Sequence, residues 1–195
     1  MRLEDFLITH KKPYLIFDFD ETLFELVLPW ENWEKDIESD LANIDAKIIR
    51  AYRIGAITLS ELQNEYVAKD SKALELLINH NIHFETTYLK NVLRNEELVK
   101  FIKETKGYKL YLWTSNTKSV VENVMEENHV LHKFDKIITR DDVKMLKPNT
   151  EGFYKIYDEK IPKSEYLLIG DSDSDKDAAE SVGIDFFLVD YFTQT

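Results

Sequence analysis

The stretch Tyr14–Leu23, with the sequence YLIFDFDETL, decides the fold because an apolar run leads directly into two carboxylates. Asp18 and Asp20 stand one residue apart at the end of this run. Like charges at the end of a buried strand repel each other and lose hydration, so they need a cation, a proton or another electrostatic partner. An Asp-x-Asp in a solvated loop would mean little among 37 acidic residues. The preceding apolar run and the polar groups later in the chain favour a functional site at this pair.

Length and composition limit the class of protein. The 195 residues predict one domain, or one domain with an insertion, and 44% hydrophobic residues suffice for a packed core. The absence of cysteine excludes disulfides and thiolate catalysis. No apolar run reaches about 18 residues and the N-terminus lacks signal-peptide features, so no membrane partner and a cytoplasmic location are expected. The net charge of −12 disfavours nucleic acid as a partner, and it means that an anionic substrate needs local positive charge or a metal.

Five short apolar runs predict strands that are buried on both faces of a parallel sheet. Helical patterns that separate the later runs favour a doubly wound, Rossmann-like α/β fold. The predicted strands are Tyr14–Phe17, Leu110–Trp113, Lys136–Thr139, Tyr166–Ile169 and Phe186–Val189, and the predicted helices are Asn95–Thr105, Ser119–Asn128, Thr150–Asp158 and Asp175–Val182.

The region between Leu23 and about Leu93 interrupts the alternation, since no convincing buried strand is evident there. Its pattern is helical from Trp30 to Ile54, and Thr58-Leu59-Ser60-Glu61 is typical of a capping box. We therefore predict a helical insertion at 24–93 in a core formed by 1–23 and 94–195.

Ligands of an open parallel sheet bind at the carboxyl ends of its strands, so the residues after each predicted strand are candidates. These are Asp18 and Asp20 after the first, Thr114, Ser115 and Asn116 after the second, Lys147 in the loop beyond the third, and the run from Gly170 to Asp175 after the fourth. The last run also resembles the start of an EF-hand calcium loop. That interpretation fails, because Lys176 and Val182 stand where such a loop requires Gly and Glu.

Taken together, these stretches resemble the four motifs of the haloacid dehalogenase (HAD) superfamily, which is dominated by phosphatases. Asp18–Thr22 resembles the first motif, Thr114 the second, Lys147-Pro148 the third and Gly170–Asp175 the fourth, in the family's order. The helical insertion occurs where the family's first type of cap is found. Glu21 departs from the pattern, since many members have glycine there. Asp20 favours phosphoryl transfer, because dehalogenating members typically lack this second carboxylate.

The resemblance and the chemistry of phosphate esters imply the same roles for the acidic residues. Asp18, nearest the strand, is the expected nucleophile that forms an aspartyl-phosphate, and Asp20 is the acid for the leaving alcohol and then the base for water. Mg²⁺ is expected as cofactor, because it prefers oxygen ligands and accepts a substrate phosphate among them. Asp18, the main-chain carbonyl of Asp20 and Asp171 would hold it, and Asp175 would support the site or ligate through water.

The same resemblance implies a phosphate-binding role for the remaining polar groups. The Thr114 hydroxyl and neighbouring main-chain N–H groups, including that of Ser115, would bind a phosphoryl oxygen, with Asn116 as a weaker candidate. Lys147 would neutralise the charge of the nucleophile and the phosphate. We therefore predict a magnesium-dependent phosphatase acting on a small phosphorylated metabolite.

Several alternatives remain open from the sequence. A phosphomutase would keep the same core, and a receiver-like signalling domain or an inactive scaffold would reuse similar residues in a non-enzymatic role. In receiver domains the lysine follows all the acidic groups, whereas here Lys147 precedes Asp171. Near the start of the insertion, Phe24, Glu25, Trp30 and Trp33 could line a substrate pocket or simply pack its core. The sequence fixes neither the particular phosphate ester nor the oligomeric state.

Overall fold

The computed structural model describes residues 2–41 and 46–192. Some residues lie outside the described ranges, namely 1, 42–45 and 193–195. They belong to the ranges assigned above to the core and to the insertion. Part of the helical pattern between Trp30 and Ile54 therefore also lies outside the described residues. The described part contains nine α-helices and seven strands. The helices are α1 Leu3–Thr9, α2 Trp30–Leu41, α3 Ala46–Arg53, α4 Leu59–Lys69, α5 Ala73–Tyr88, α6 Glu96–Glu104, α7 Lys118–Glu127, α8 Glu151–Ile156 and α9 Asp173–Val182, and the strands are β1 Tyr14–Phe17, β2 Phe24–Val27, β3 Asn91–Arg94, β4 Lys109–Trp113, β5 Lys136–Ile138, β6 Tyr166–Gly170 and β7 Asp185–Leu188.

Five of the strands form one parallel sheet in the order β5-β4-β1-β6-β7. The chain builds outward from β1 to β4 and β5, then returns to place β6 on the other side of β1, so β1 lies at the centre. The predicted doubly wound α/β fold is confirmed, and each predicted strand lies within one residue of the observed one. The carboxyl ends of β1, β4 and β6 therefore lie next to one another.

Apolar side chains cover both faces of this sheet, which explains why the strands have continuous rather than alternating apolar sequences. Alternate residues of β1 point to opposite faces: Leu15 and Phe17 belong to one buried cluster, and Ile16 belongs to the other. The first cluster includes residues of α6 and α7, and the second includes residues of α8 and α9. The central strand is thus held rigidly from two sides.

No convincing buried strand was evident in the sequence between Leu23 and about Leu93, but the structure has two short, mostly unburied strands at the ends of this region. Phe24–Val27 and Asn91–Arg94 pair as a two-stranded antiparallel ribbon at the two ends of the inserted region. Only Phe24 and Leu26 of this ribbon are buried, so it lacks the apolar run that identifies the central strands. Its partners also stand far apart in the sequence, which leaves no local signal of the pairing.

The helices between the ribbon strands have an apolar core of their own, built around Trp33, Leu62, Tyr66, Leu77 and Phe84. The predicted capping box is present: the Thr58 hydroxyl accepts a hydrogen bond from the Glu61 N–H, and the Glu61 carboxylate accepts one from the Thr58 N–H. No helix in the described part of the chain is both long and apolar enough to span a bilayer.

In the described part of the chain, hydrogen bonds between three residue pairs join this helical region to the rest of the protein. Asn64 on α4 donates to the Leu146 carbonyl at 2.8 Å and accepts from the Leu146 N–H at 2.7 Å. Arg140 donates to the Gln63 side-chain oxygen. Glu85 on α5 accepts from the backbone N–H of Thr117 at 2.9 Å and from its hydroxyl. These contacts place α4 and α5 over the carboxyl edge of the sheet.

Candidate active site

The candidate site lies at the carboxyl ends of β1, β4 and β6, as expected for a doubly wound sheet. Asp18 is the first residue after β1, and its N–H donates to the Ile169 carbonyl of β6 at 2.9 Å. Thr114 is the first residue after β4, and its N–H donates to the Ile138 carbonyl of β5 at 3.0 Å. The sheet register therefore continues into the site and fixes the backbone from which the polar side chains extend.

Lys147 and Asp18 form a buried ion pair at the centre of the site. The Lys147 ammonium lies 2.5 Å from Asp18 Oδ1, donates to the Trp113 carbonyl at 3.0 Å, and also bonds Asp175 Oδ1. Burial acts to lower the pKa of Lys147, but Asp175 and Asp18 together outweigh it and raise that pKa. Burial raises the pKa of Asp18, and the Lys147 charge opposes this increase. A permanently charged ammonium thus touches the predicted nucleophile.

Asp171 completes a cluster that fits a divalent cation. Carboxylate oxygens of Asp18, Asp171 and Asp175 lie within 4.8 Å of one another. Asp18 Oδ1 accepts from Lys147, and one oxygen of Asp171 accepts from the Thr22 hydroxyl at 3.0 Å, so Asp18 and Asp171 each keep a second oxygen. Burial, Asp175 and Glu21 raise the pKa of Asp171 to about 6, against the Thr22 bond. This all-oxygen, electronegative donor set is of the kind that Mg²⁺ prefers.

Asp175 differs from the other two carboxylates because both of its oxygens are already engaged. Oδ1 accepts from Lys147, whereas Oδ2 accepts from the Ser172 N–H and hydroxyl in the capping box that begins α9. The residue is fully buried. Its place in the structure suits it to hold Lys147 and α9 in position rather than to contact a ligand directly.

Asp20 faces the same cavity but is held by different contacts. Its Oδ1 accepts from the Leu26 N–H of β2 at 2.8 Å, so the ribbon orients this carboxylate. Burial raises the pKa of Asp20 to about 7, with further increases from Glu21, Glu85 and Asp171 and a decrease from the Leu26 bond. A carboxylic acid with a pKa near neutrality can both donate and accept a proton at physiological pH.

The segment Thr114–Asn116 presents its residues to the cavity unequally. The Thr114 hydroxyl donates to Asn116 Oδ1 at 2.8 Å and accepts from the Asn116 N–H at 3.1 Å. Ser115 and Asn116 line the cavity, whereas Thr114 is buried behind them. The direct phosphate contact predicted for Thr114 would require its bonds to Asn116 to rearrange.

The cavity between the helical region and the sheet measures about 200 Å³. Asp18, Asp20, Lys147, Asp171, Ser115 and Asn116 line it, so these sequence-predicted residues do come together. Of the aromatic residues near the start of the insertion, Trp30 lines the cavity, while Trp33 and Phe24 are buried in the apolar clusters.

Sequence reasoning missed Gln63, Glu85 and Arg140, which also line this cavity. Arg140 comes two residues after β5, so the rule of examining strand ends could have found it. Gln63 and Glu85 are buried polar residues on α4 and α5, and nothing in the sequence indicates which helical polar groups face the sheet.

Arg140 and Glu85 carry opposite charges into a largely buried environment. Burial lowers the pKa of Arg140 to about 10, although Glu85 and Asp141 act to raise it, so the guanidinium stays charged at neutral pH. Burial raises the pKa of Glu85, against the Arg140 charge and the bonds from Thr117. Hydrogen bonds between Thr139 and Asp142 fix the short turn that carries Arg140.

The comparison with protein families agrees with this geometry. The model of the haloacid dehalogenase-like hydrolases matches residues 15–189, from the first strand of the sheet to the end of the last. The chain belongs to this family. A phosphoglycolate phosphatase of Aliivibrio fischeri is 26% identical to this HAD-family chain over 137 residues, which cover 67% of this chain and 60% of that relative. The chain therefore spans less than two thirds of the length of this curated relative.

Solved structures show the same fold for this member of the HAD family. A hydrolase from Pseudomonas syringae superposes with a TM-score of 0.66 at 20% identity, covering 92% of this chain and 85% of that one. The magnesium-bound structure of YfnB from Bacillus subtilis superposes with a TM-score of 0.55 at 18% identity, covering 92% and 87% of the two chains.

Proposed function

We propose that this protein is a magnesium-dependent phosphatase that hydrolyses a small phosphomonoester through an aspartyl-phosphate on Asp18. The observation that carries the proposal is the contact of the Lys147 ammonium with Asp18 at 2.5 Å, in the cavity that Asp20 also faces. The phosphoglycolate phosphatase relative supports a small phosphate ester as the substrate. We further propose that residues 24–93 act as a cap domain over the site, because they have an apolar core of their own.

In the proposed first step, the unbonded oxygen of Asp18 attacks phosphorus and the bond from phosphorus to the alcohol oxygen breaks. The leaving oxygen takes the proton of Asp20, for which a pKa of about 7 is suitable. Lys147 keeps Asp18 oriented, neutralises its charge and approaches the phosphoryl oxygens. In the second step, Asp20 removes a proton from water, the water oxygen attacks phosphorus, and the bond to Asp18 breaks to release phosphate.

Asp171 would hold Mg²⁺ through the oxygen that Thr22 leaves available, and Asp18 would hold it through Oδ1, so that the other Asp18 oxygen stays available for the attack on phosphorus. When bound there, the ion would withdraw charge from the phosphoryl oxygens and stabilise the transition state. Ser115 and Asn116 also line the cavity and would bind the remaining phosphoryl oxygens. Thr114 stays a predicted phosphate ligand.

The proposal is tested by the release of inorganic phosphate from p-nitrophenyl phosphate with and without Mg²⁺. We expect metal-dependent hydrolysis that falls by at least about 1,000-fold in Asp18→Asn, since that variant loses the nucleophile. In Asp20→Asn, hydrolysis should fall by about 100- to 10,000-fold, the usual contribution of a general acid. Unchanged turnover in Asp18→Asn, or an inactive parent protein, would refute the proposal.

A further inference from the structure

Gln63 has an amide orientation that its neighbours determine. The Gln63 side-chain oxygen accepts from Asn81 Nδ2 at 3.0 Å and from Arg140. Asn81 is in turn fixed, because its oxygen accepts from Trp33 Nε1 at 2.8 Å. Two donors on one side identify that side as the oxygen, so the Gln63 nitrogen points the other way. This nitrogen is buried and has no hydrogen-bond partner among the described residues, on a side chain that lines the cavity.

Arg140 presents a second donor of the same kind. Its Nε is buried and has no hydrogen-bond partner within the described parts of the chain, and the residue is 6% exposed. Within residues 2–37 and 47–192, no carboxylate forms an ion pair with its guanidinium; Glu85 and Asp141 act on the charge from a longer distance. Gln63 and Arg140 line the same cavity as Asp18 and Lys147.

Buried N–H donors without an acceptor are energetically unfavourable, because they have lost their hydrogen bonds to water. We propose that Gln63 and Arg140 form a subsite for a carboxylate on the alcohol portion of the phosphate ester, so that the preferred substrate is a small phosphorylated hydroxy acid. This inference rests on the phosphatase function proposed above and specifies the substrate class of that site.

Three features favour a carboxylate over other acceptors. Both unpaired groups are N–H donors, and a planar carboxylate offers two oxygens that can accept from them. The guanidinium charge needs an anion, which a hydroxyl or a carbonyl group would not supply. The cavity of about 200 Å³ lies below the range of roughly 300–1,000 Å³ for drug-sized ligands, which favours a short alcohol over a nucleoside. A second phosphate would place more negative charge beside Asp20, Glu21 and Glu85 than a carboxylate does.

The test compares kcat/KM for 2-phosphoglycolate and 2-hydroxyethyl phosphate, which differ in the replacement of the carboxylate by a hydroxymethyl group. We expect the protein to prefer the acid by about 10- to 100-fold, the effect of losing hydrogen bonds to a charged group. A ratio near one would overturn the inference while leaving the phosphatase function intact. Failure to hydrolyse either ester or p-nitrophenyl phosphate would instead refute the phosphatase function itself.

The decisive variant is Gln63→Glu, which keeps an oxygen for Asn81 and Arg140 but replaces the unpaired N–H donor with an acceptor oxygen. We expect the preference ratio to fall toward one in Gln63→Glu and in Arg140→Met, chiefly through a higher KM for 2-phosphoglycolate. The matched control is Glu65→Gln on the exposed side of the same helix, where the ratio should stay as in the parent. Both esters are measured on one sample, so any misfolded fraction cancels in the ratio. A ratio that persists in both subsite variants would contradict the subsite.

Discussion

Glu21 and His129 have positive backbone φ angles of 55° and 58°, a conformation that L-residues rarely adopt. His129 follows α7, where its N–H donates to the Glu126 carbonyl and the next N–H, of Val130, donates to Met125. This is the Schellman pattern, in which the left-handed residue is usually glycine. Gly183 has that role after α9, with φ of 74°. Glu21 lies in the loop between the two site carboxylates and β2, at a position where many members of the superfamily have glycine.

We predict that Glu21→Gly and His129→Gly each raise the free energy of unfolding by up to about 1 kcal/mol. The left-handed conformation costs a side chain about 1–2 kcal/mol, which exceeds the roughly 0.5–1 kcal/mol of extra chain entropy that glycine loses on folding. Urea denaturation of the two variants and the parent measures the effect. Glu21→Val should be destabilising, because a β-branched residue tolerates positive φ least. A loss of stability in both glycine variants would show that neither backbone is strained.

Single residues also show what the sequence can and cannot predict about the site. The strand pattern predicts four of the site residues, namely Asp18, Asp20, Lys147 and Asp171. The ends of parallel strands and the loops after them lie at the site, however the side chains pack. Gln63 reaches the cavity only because α4 docks on the sheet edge, and its burial follows from that docking. A helical sequence shows which face is apolar, but it does not show which polar residue contacts the sheet edge.

At the scale of elements, the contact between β6 and α9 supports the site from behind. Gly170 ends β6, and a Cβ at this position would lie 2.6 Å from both Cγ and Oδ2 of Asp175. Asp175 cannot move away freely, because it caps α9 and bonds Lys147. The absence of a side chain at Gly170 is therefore a condition for the position of Lys147, and through it for Asp18.

We predict that Gly170→Ala lowers kcat/KM for p-nitrophenyl phosphate on the order of 100-fold, the effect expected when a site group is displaced by about 1 Å. The overpacking should also reduce the free energy of unfolding by about 1–3 kcal/mol. Val182→Ala at the other end of α9 is the matched control, because a buried truncation there has a similar stability cost with little effect on kcat/KM. Equal kcat/KM losses in the two variants would mean that Gly170 matters only for stability.

The elements themselves differ in how well the sequence predicts them. Strands β1, β4 and β6 could be predicted because burial on both faces produces continuous apolar runs. The ribbon of β2 and β3 could not, because its pairing joins residues 24–27 to residues 91–94 across the whole insertion. Yet this ribbon orients Asp20 through the Leu26 N–H, so a site contact between residues six positions apart depends on the pairing of Leu26 with the distant Val92.

At the scale of the whole molecule, the helical region and the sheet meet through buried polar contacts close to the site. Asn64 bonds both backbone groups of Leu146, the residue before Lys147, and Arg140 bonds Gln63. Glu85 joins the region to the N-terminus of α7, where the helix dipole favours a negative charge. Since each of these contacts involves a cavity residue or its direct neighbour, the docking of the helical region and the shape of the cavity depend on the same contacts.

Glu85 makes the free energy of unfolding depend on pH. Burial raises its pKa above the ordinary value of 4.5, although Arg140 and Thr117 oppose the increase. The folded protein therefore binds more protons than the unfolded chain between 4.5 and the folded pKa. In that window the free energy of unfolding falls as pH rises, and above the folded pKa the contribution of Glu85 is constant. Asp20 and Asp171 also have raised pKa values and act in the same direction.

We predict that Glu85→Gln reduces this decline in stability as pH rises above 4.5. The amide oxygen can still accept the two Thr117 bonds, but residue 85 no longer titrates, whereas Asp20 and Asp171 titrate in both proteins. Urea denaturation of parent and variant at several pH values gives the difference in slope, in which the shared contributions largely cancel. The slope, rather than the absolute stability, is the decisive quantity, because the variant also removes a negative charge near Arg140. If the stability of the parent relative to the variant instead increased with pH, Arg140 and Thr117 would outweigh burial and the Glu85 pKa would be lowered.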